Sequence, residues 1–257
     1  MGIIGGSLGY KILNYLSPAS TGNNEYTAYQ NKSKMEVLFG ANVWEHFKDK
    51  VVIDFGCETG IEAVEIAQHG ARKVIGVDLY ENSLRGARER AKNAGVGDRC
   101  EFTTKAEEKA DVIMTLDTFE HFSDPAAILK IMRGALKDDG YVLTCFGPTW
   151  YHPLGGHGFS IFPWAHLVFT EKALIRWYND LPLKDYGDYE RGKAKNFTDV
   201  RGGLNQLTIR RFEKIVSQSD FRIAEFEARP IRKLKPIANR LTREFTTAIV
   251  QCKLVPK

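Results

Sequence analysis

Residues 51–60, which read Val-Val-Ile-Asp-Phe-Gly-Cys-Glu-Thr-Gly, constrain the fold more than any other segment. The β-branched run at the start is typical of a strand that is covered on both faces. An acidic residue and a turn follow, and Gly56 and Gly60 in that turn permit the close backbone approach that a ligand requires. Ile61 opens an apolar-periodic helix whose first N–H groups can face an anion. The segment therefore predicts a strand, a binding loop and a helix.

A second strand is predicted at residues 73–78, which read Lys-Val-Ile-Gly-Val-Asp. Its last residue, Asp78, follows the first turn by about twenty residues, the placement that proteins use to hold ribose hydroxyls. A strand-end aspartate taken alone is more often a helix cap. Beside the loop of Asp54, Gly56 and Gly60, we interpret Asp78 as a ribose ligand.

Strands and helices alternate along the first half of the chain. We predict helices from Ile61 to His69, from the N-cap Ser83 to Ala94, after Asp124-Pro125, and after the N-cap Thr208. Such a succession with short connections produces right-handed crossovers and a parallel sheet. Ligands are then expected outside the carboxyl ends of the strands, where the residues described above fall.

From about Lys50 to Pro148 these features resemble the class I S-adenosylmethionine-dependent methyltransferases. Residues 111–121, Asp-Val-Ile-Met-Thr-Leu-Asp-Thr-Phe-Glu-His, are similar to the fourth strand and Glu-His signature of small-molecule enzymes of the quinone-biosynthesis type. The resemblance implies a Rossmann-like, doubly wound α/β fold. Its seven-stranded sheet would be mostly parallel, with an antiparallel last strand and an aromatic-rich insertion after strand five.

The resemblance also implies a site for S-adenosylmethionine. Its residues, from the methionine end through the ribose to the adenine end and the fourth strand, would be Asp54, Gly56, Cys57, Glu58, Gly60, Asp78, Leu79, Ala106, Glu107, Leu116 and Asp117. Glu58 departs from the family, which usually has glycine there. Its carboxylate could bind the ammonium group of the cofactor, repel the carboxylate of the cofactor or point to solvent. A nicotinamide cofactor is disfavoured because the loop lacks a third glycine, and the chain has no P-loop.

The 257 residues, 43% hydrophobic and 26% charged, fit one domain with an insertion. We expect an N-terminal helical lid or core segment over 1–49, the cofactor-binding domain over 50–146 and 208–257, and the insertion over 147–207. Ile4, Leu8, Ile12 and Leu16 recur at helical spacing. The N-terminus predicts neither a signal peptide nor a membrane span. Four cysteines without a C-x-x-C pair indicate reduced thiols and a cytoplasmic protein.

Aromatic residues accumulate in the insertion, where most are expected to form its own small core and some to line a pocket. We predict a small-molecule acceptor, apolar or aromatic in character. Histidine titrates near neutral pH, so His121, His152 and His157 are candidate bases for the acceptor hydroxyl. Glu120 with His121 and Asp117 could hold a divalent cation. The spacing matches no zinc signature, however, so the sequence assigns no metal site.

A basic stretch lies near the end of the chain and contains Arg229, Arg232, Lys233, Lys235, Arg240 and Arg243 without an acidic residue among them. It raises RNA methylation as an alternative. It lacks interleaved aromatics for base stacking, and a charge run is usually a solvated face, so nucleic acid is not expected as a partner. The sequence favours methyl transfer from S-adenosylmethionine to a small molecule, at oxygen. A catalytically silent relative is the third hypothesis, and the oligomeric state is not predicted.

Overall fold

The computed structural model describes residues 2–17, 32–181, 192–200 and 202–257. Parts of the predicted N-terminal segment (18–31) and of the predicted insertion (182–191 and 201) lie outside this range. The strands are β1 (Val51–Phe55), β2 (Lys73–Val77), β3 (Cys100–Thr103), β4 (Ala110–Leu116), β5 (Leu136–Phe146), β6 (Phe221–Pro230) and β7 (Thr247–Pro256). The α-helices are α1 (Gly6–Leu16), α2 (Lys34–Phe39), α3 (Ile61–Gln68), α4 (Glu81–Asn93), α5 (Pro125–Ala135), α6 (Ala165–Val168), α7 (Glu171–Asn179), α8 (Ile209–Gln218) and α9 (Arg243–Thr246).

The described strands form one seven-stranded sheet in the order β3-β2-β1-β4-β5-β7-β6. The first five pair in parallel, and β7 pairs antiparallel with both β5 and β6. This confirms the predicted fold. The chain leaves β1 in one direction to β2 and β3 and returns on the other side to β4. The strand order therefore reverses at β1, the point at which open α/β sheets bind their ligands.

Helices cover both faces of the sheet, which explains the continuous apolar run in β1. Val52 packs in a core cluster with residues of α3 and α4, whereas Val51 and Ile53 pack in a second cluster with residues of α5 and α8. All three side chains are buried. Alternation along a strand then places the next residue, Asp54, on the same face as Val52.

Of the two predicted N-caps, Thr208 is confirmed and Ser83 is wrong, and the helix predicted after Asp124-Pro125 is capped by Asp124. Asp124 accepts hydrogen bonds from two backbone N–H groups at the start of α5, and Thr208 accepts one at the start of α8. Ser83 does not cap α4, which begins two residues earlier, at Glu81. The Asp78 carboxylate accepts the backbone N–H of Tyr80, so the chain turns before it reaches Ser83, which lies buried inside the helix.

Residues of the predicted insertion form most of a third hydrophobic core cluster, which contains Phe159, Phe169, Trp177 and Tyr178. Helix α1 packs against α7 of the insertion, and its Leu13 belongs to this core. The later part of the N-terminal segment packs on the sheet instead, since Met35, Leu38, Val43 and Phe47 belong to the cluster that contains residues of α3 and α4. The apolar spacing predicted α1 but not its buried face: Gly9 and Leu13 are buried, while Leu8 and Leu16 are 67% and 50% exposed. Gly9 decides the face, because an added Cβ there would lie 3.3 Å from the Ala173 Cβ. Small residues at this position let the two helices approach closely.

The basic stretch predicted near the end of the chain connects β6 to β7 through a 3₁₀ turn at Arg232–Ile237 and the short helix α9. In the described ranges, no helix combines the length and the hydropathy that crossing a bilayer requires. All four cysteines are unpaired.

Candidate functional site

A cavity of about 240 Å³ opens at the carboxyl ends of β1 and β4. Among its lining residues are six that the sequence predicts for the cofactor: Asp54, Gly56, Cys57, Glu58, Leu116 and Asp117. Of the other five, Gly60 is the N-cap of α3, at the end of the loop that follows β1. Asp78 follows β2, and its carboxylate accepts a backbone N–H group of that loop. Leu79, Ala106 and Glu107 do not line the cavity.

Asp54 is a buried carboxylate whose hydrogen-bonding capacity is only partly used. It is 3% exposed, and its Oδ2 atom has no hydrogen-bond partner among the described residues. Burial raises the pKa of Asp54 well above its usual range, and the neighbouring Glu62 carboxylate raises it further. An unpartnered buried acid at a cavity wall calls for a donor or a cation from a ligand.

The loop between β1 and α3, from Gly56 to Gly60, is called the glycine loop below. Its backbone would be disturbed by a side chain added at either glycine. Gly56 has a φ of 86°, and an added Cβ would lie 2.5 Å from the Thr118 Cγ2. Gly60 has a φ of 72°, and its Cβ would lie 2.8 Å from the Ala87 Cβ. The backbone N–H groups of Gly56 and Cys57 both donate to the carbonyl oxygen of Val77, which fixes the loop against β2.

Replacing Gly56 with alanine should lower the free energy of unfolding by about 1–3 kcal/mol, because the residue would combine a left-handed backbone with a clash. Gly86→Ala is the matched control. Gly86 lies inside α4, where an added Cβ would meet only the Thr59 Cγ2 at 4.0 Å, so this change should be neutral or stabilising by up to about 1 kcal/mol. Urea denaturation measures both. Equal stability of the two variants would contradict the strained loop.

Asp78 reaches back from β2 to the loop. Its Oδ2 accepts the backbone N–H of Glu58 at 3.0 Å, and its Oδ1 accepts that of Tyr80 at 2.9 Å. Strand alternation puts Asp78 on the sheet face of Val74, the face that Asp54 shares through Val52. A carboxylate has about four acceptor positions, so Asp78 can still accept two hydroxyl groups.

Glu58 stands in the glycine loop with a φ of 43°, a conformation that favours glycine. This explains in physical terms why the resembled family usually has glycine there. The side chain is exposed and contributes to the cavity wall. The pKa of Glu58 is raised by partial desolvation and then by the charge of Asp78.

Lys34 is a cavity residue that the sequence analysis missed. It lies in the first turn of α2, and its Nζ is 2.9 Å from Asp117 Oδ2 and 3.8 Å from Glu62 Oε1. The cavity wall therefore carries a cation beside two acids. Only the N-cap Ser33 and the amphipathic segment after it predict a helix here, and neither indicates that this helix folds over the end of β4.

The remaining predicted cofactor residues lie at the edge of the site. Leu79 is 83% exposed, directly after Asp78. Ala106 packs against the core cluster of β1 and α5, and Glu107 is exposed. Leu79 therefore presents an apolar surface next to Asp78 in the chain.

The three predicted histidines differ in their surroundings, and none of them lines the cavity. His121 Nδ1 lies 2.8 Å from the carbonyl oxygen of Gly203. His157 is packed against it, with ring centroids 5.1 Å apart. His152 Nδ1 accepts the backbone N–H of Leu154. Burial lowers the pKa of both His152 and His157 to about 4.

Sequence comparison with known proteins identifies methyltransferases as relatives. A family model described as a methyltransferase domain matches residues 24–223. The ubiquinone biosynthesis O-methyltransferase of Neisseria meningitidis serogroup C (strain 053442) is 38% identical over 102 residues, which are 37% of this chain and 43% of that protein. The ribosomal protein L11 methyltransferase of Escherichia coli O8 (strain IAI1) is 40% identical over 70 residues, 26% of this chain and 24% of that protein. The chain thus spans less than half the length of these curated relatives.

Solved structures extend the agreement to the fold. The crystal structure of an S-adenosylmethionine-dependent methyltransferase from Mesorhizobium loti superposes with a TM-score of 0.51 at 17% identity, covering 81% of this chain and 92% of that one. At this identity the likeness concerns the fold alone. Because the family model matches well over half of the chain, and the sheet order and glycine loop agree with it, this protein belongs to the methyltransferase domain family, within the class I S-adenosylmethionine-dependent methyltransferases.

Proposed function

We propose that the protein transfers a methyl group from S-adenosylmethionine to an oxygen atom of a small-molecule acceptor. The observation that carries the proposal is the buried Asp54 carboxylate with an unpartnered oxygen, set between the glycine loop and the end of β4. The cofactor of this family has a ribose, an ammonium group and a carboxylate, and the site offers a partner for each.

The residues fit the cofactor in chemical type. Asp54 would hold the ammonium group, since it is a buried acid that lacks a partner for one oxygen. The Lys34 ammonium lies on the same wall and would face the cofactor carboxylate. Asp78 would accept the two ribose hydroxyls with the acceptor positions that its backbone contacts leave. When bound, S-adenosylmethionine supplies an electrophilic methyl group on a sulfonium.

The acceptor would lie between the end of β4 and the insertion, because two of the predicted histidines, His121 and His157, come together there. His121 is the best placed of the three to take a proton. Its Nδ1 faces a carbonyl oxygen and must donate, so its Nε2 carries the lone pair. His152 is in the opposite tautomer, and its low pKa of about 4 makes it a weak base. Positioning and exclusion of water would supply most of the catalysis.

Oxygen is supported as the acceptor atom by the Neisseria relative, an O-methyltransferase. A similar sequence also occurs in the L11 methyltransferase, an enzyme named for a protein substrate, so sequence similarity alone does not identify the acceptor. RNA is less well supported, since Arg229 and Arg243 of the basic stretch form ion pairs with Glu227 and Glu213. The unpaired cysteines favour a reducing compartment such as the cytoplasm.

The test combines binding with transfer. Calorimetric titration should show one S-adenosylmethionine per chain, and incubation with methyl-labelled cofactor and fractionated cell extract should move the label into the small-molecule fraction. Label in the RNA fraction, together with steeply salt-dependent RNA binding, would replace this proposal with RNA methylation. No uptake of the cofactor at all would identify a catalytically silent relative.

A further inference from the structure

Glu120, His121 and His157 form a cluster where the loop after β4 meets the insertion. Each offers one ligand atom, and these atoms lie within 4.8 Å of one another. The two rings meet edge to face, with centroids 5.1 Å apart and planes inclined by 68°. His157 lies about 35 residues after the other two in the chain, with all of α5 and β5 in between. Only the folded structure brings the three residues together.

Each member of the cluster is held by the backbone through one polar atom. His121 Nδ1 lies 2.8 Å from the carbonyl oxygen of Gly203, and His157 Nδ1 lies 3.2 Å from that of Gly155. A carbonyl oxygen only accepts, so both Nδ1 atoms donate and both Nε2 atoms keep a lone pair. Histidines that ligate metals are typically oriented in this way, by an N–H bond to a backbone carbonyl or carboxylate.

Glu120 is held in the same manner and retains a free oxygen. Its Oε1 accepts the backbone N–H of Gly147 at 2.9 Å. The side chain is 2% exposed, and its Oε2 has no hydrogen-bond partner among the described residues. A fully buried carboxylate oxygen without a partner is costly, and a bound cation would compensate it.

We propose that Glu120, His121 and His157 bind a first-row divalent transition-metal ion of the Zn²⁺ type. Two imidazoles and one carboxylate suit Zn²⁺, Mn²⁺ or Co²⁺, whereas Mg²⁺ and Ca²⁺ prefer ligand sets made of oxygen alone. Three protein ligands leave a coordination position open, as in catalytic zinc sites. The two histidines are partly exposed, so the cluster is not sealed from outside molecules. The proposal departs from the sequence analysis, which assigns no metal.

The role of the ion rests on the proposed function. A hydroxyl oxygen of the acceptor would occupy the open position and lose its proton to solvent, because a bound cation favours the deprotonated form. The oxygen lone pair would then form the new C–O bond while the S–C bond breaks and the sulfonium becomes a neutral thioether. In this arrangement His121 and His157 act as ligands and no longer as candidate bases.

Metal binding can be measured on the full chain after treatment with a chelator. Titration with Zn²⁺ should show one ion per chain with a dissociation constant below about 1 μM. Co²⁺ should give visible ligand-field bands without the thiolate charge-transfer bands that binding by a cysteine produces. Glu120→Gln and His157→Asn should each weaken Zn²⁺ binding by at least tenfold. Asparagine tolerates the φ of 47° at residue 157, so this second variant keeps the backbone.

His69→Ala is the control, because His69 is a histidine at the end of α3, outside the cluster, and it should leave Zn²⁺ affinity unchanged. Circular dichroism checks that each variant is folded. Absence of a bound ion, or an affinity that neither cluster variant changes, would overturn the proposal. Titration of S-adenosylmethionine into the metal-free chain separates the two proposals. A chain that binds the cofactor but no ion loses only the metal site, and one that binds the ion but no cofactor loses only the methyl-transfer function.

Discussion

Replacing Asp78 with alanine should weaken S-adenosylmethionine binding by more than tenfold. Hydrogen bonds from two ribose hydroxyls to a charged acceptor contribute about 1.5–3 kcal/mol, which corresponds to a factor of about ten to one hundred. The loss has a second cause in this protein, because the same carboxylate accepts the N–H groups of Glu58 and Tyr80 and thereby holds the loop. Calorimetric titration gives the affinity.

Two comparisons separate ligand binding from loop stability at Asp78. Asp78→Asn retains a neutral oxygen for a backbone contact but loses the charge, so it should weaken cofactor binding while stability stays closer to that of the parent protein. Asp139→Ala removes an exposed carboxylate at the opposite end of the sheet, on β5, and should change neither quantity. An unchanged affinity in Asp78→Ala would remove this residue from the site.

Asp54→Asn should change stability and cofactor affinity in opposite directions. The pKa of Asp54 is raised in the folded protein, so ionisation opposes folding at every pH above the pKa of the unfolded carboxyl group. The amide can still accept a hydrogen bond, and it carries no charge. We expect the variant without cofactor to be more stable at pH 7 by about 1–3 kcal/mol, with the difference shrinking as the pH falls toward 4.

The same substitution should weaken S-adenosylmethionine binding by at least tenfold, because a neutral amide replaces the anionic partner of the ammonium group. Denaturation of both proteins at pH 5, 6 and 7 isolates the contribution of Asp54, since the other acids with raised pKa values are common to both. A gain in stability together with a loss of binding is the expected signature of a residue kept for function. A variant that loses stability at pH 7 would show that the Asp54 carboxylate is paired within the folded chain.

The sequence predicted the framework of the site because its signals are local. The β-branched run before Asp54, the two glycines of the loop and the acid at the end of β2 lie on neighbouring strands, and parallel pairing brings them together without further information. Asp124 and Thr208 are predictable caps for the same reason, since a cap bonds to backbone groups two or three positions away.

The rest of the site depends on contacts between distant segments. Lys34 reaches Asp117 because α2 folds over the end of β4, and no pattern in either segment indicates this contact. His121 is oriented by the carbonyl of Gly203, and His157 joins it from the insertion. The spacing of apolar residues failed to predict the buried face of α1 for a similar reason. Gly9 and Leu13 are buried because α1 packs against α7, a contact between distant segments. Tertiary packing decided these features.

The most direct test of the account is a crystal structure of the full chain with S-adenosylhomocysteine. The account predicts that the ligand lies in the cavity at the ends of β1 and β4, with its ribose hydroxyls within hydrogen-bonding distance of the Asp78 carboxylate and its amino group beside Asp54 Oδ2. A ligand bound elsewhere on the protein, or one whose ribose lies out of reach of Asp78, would contradict it.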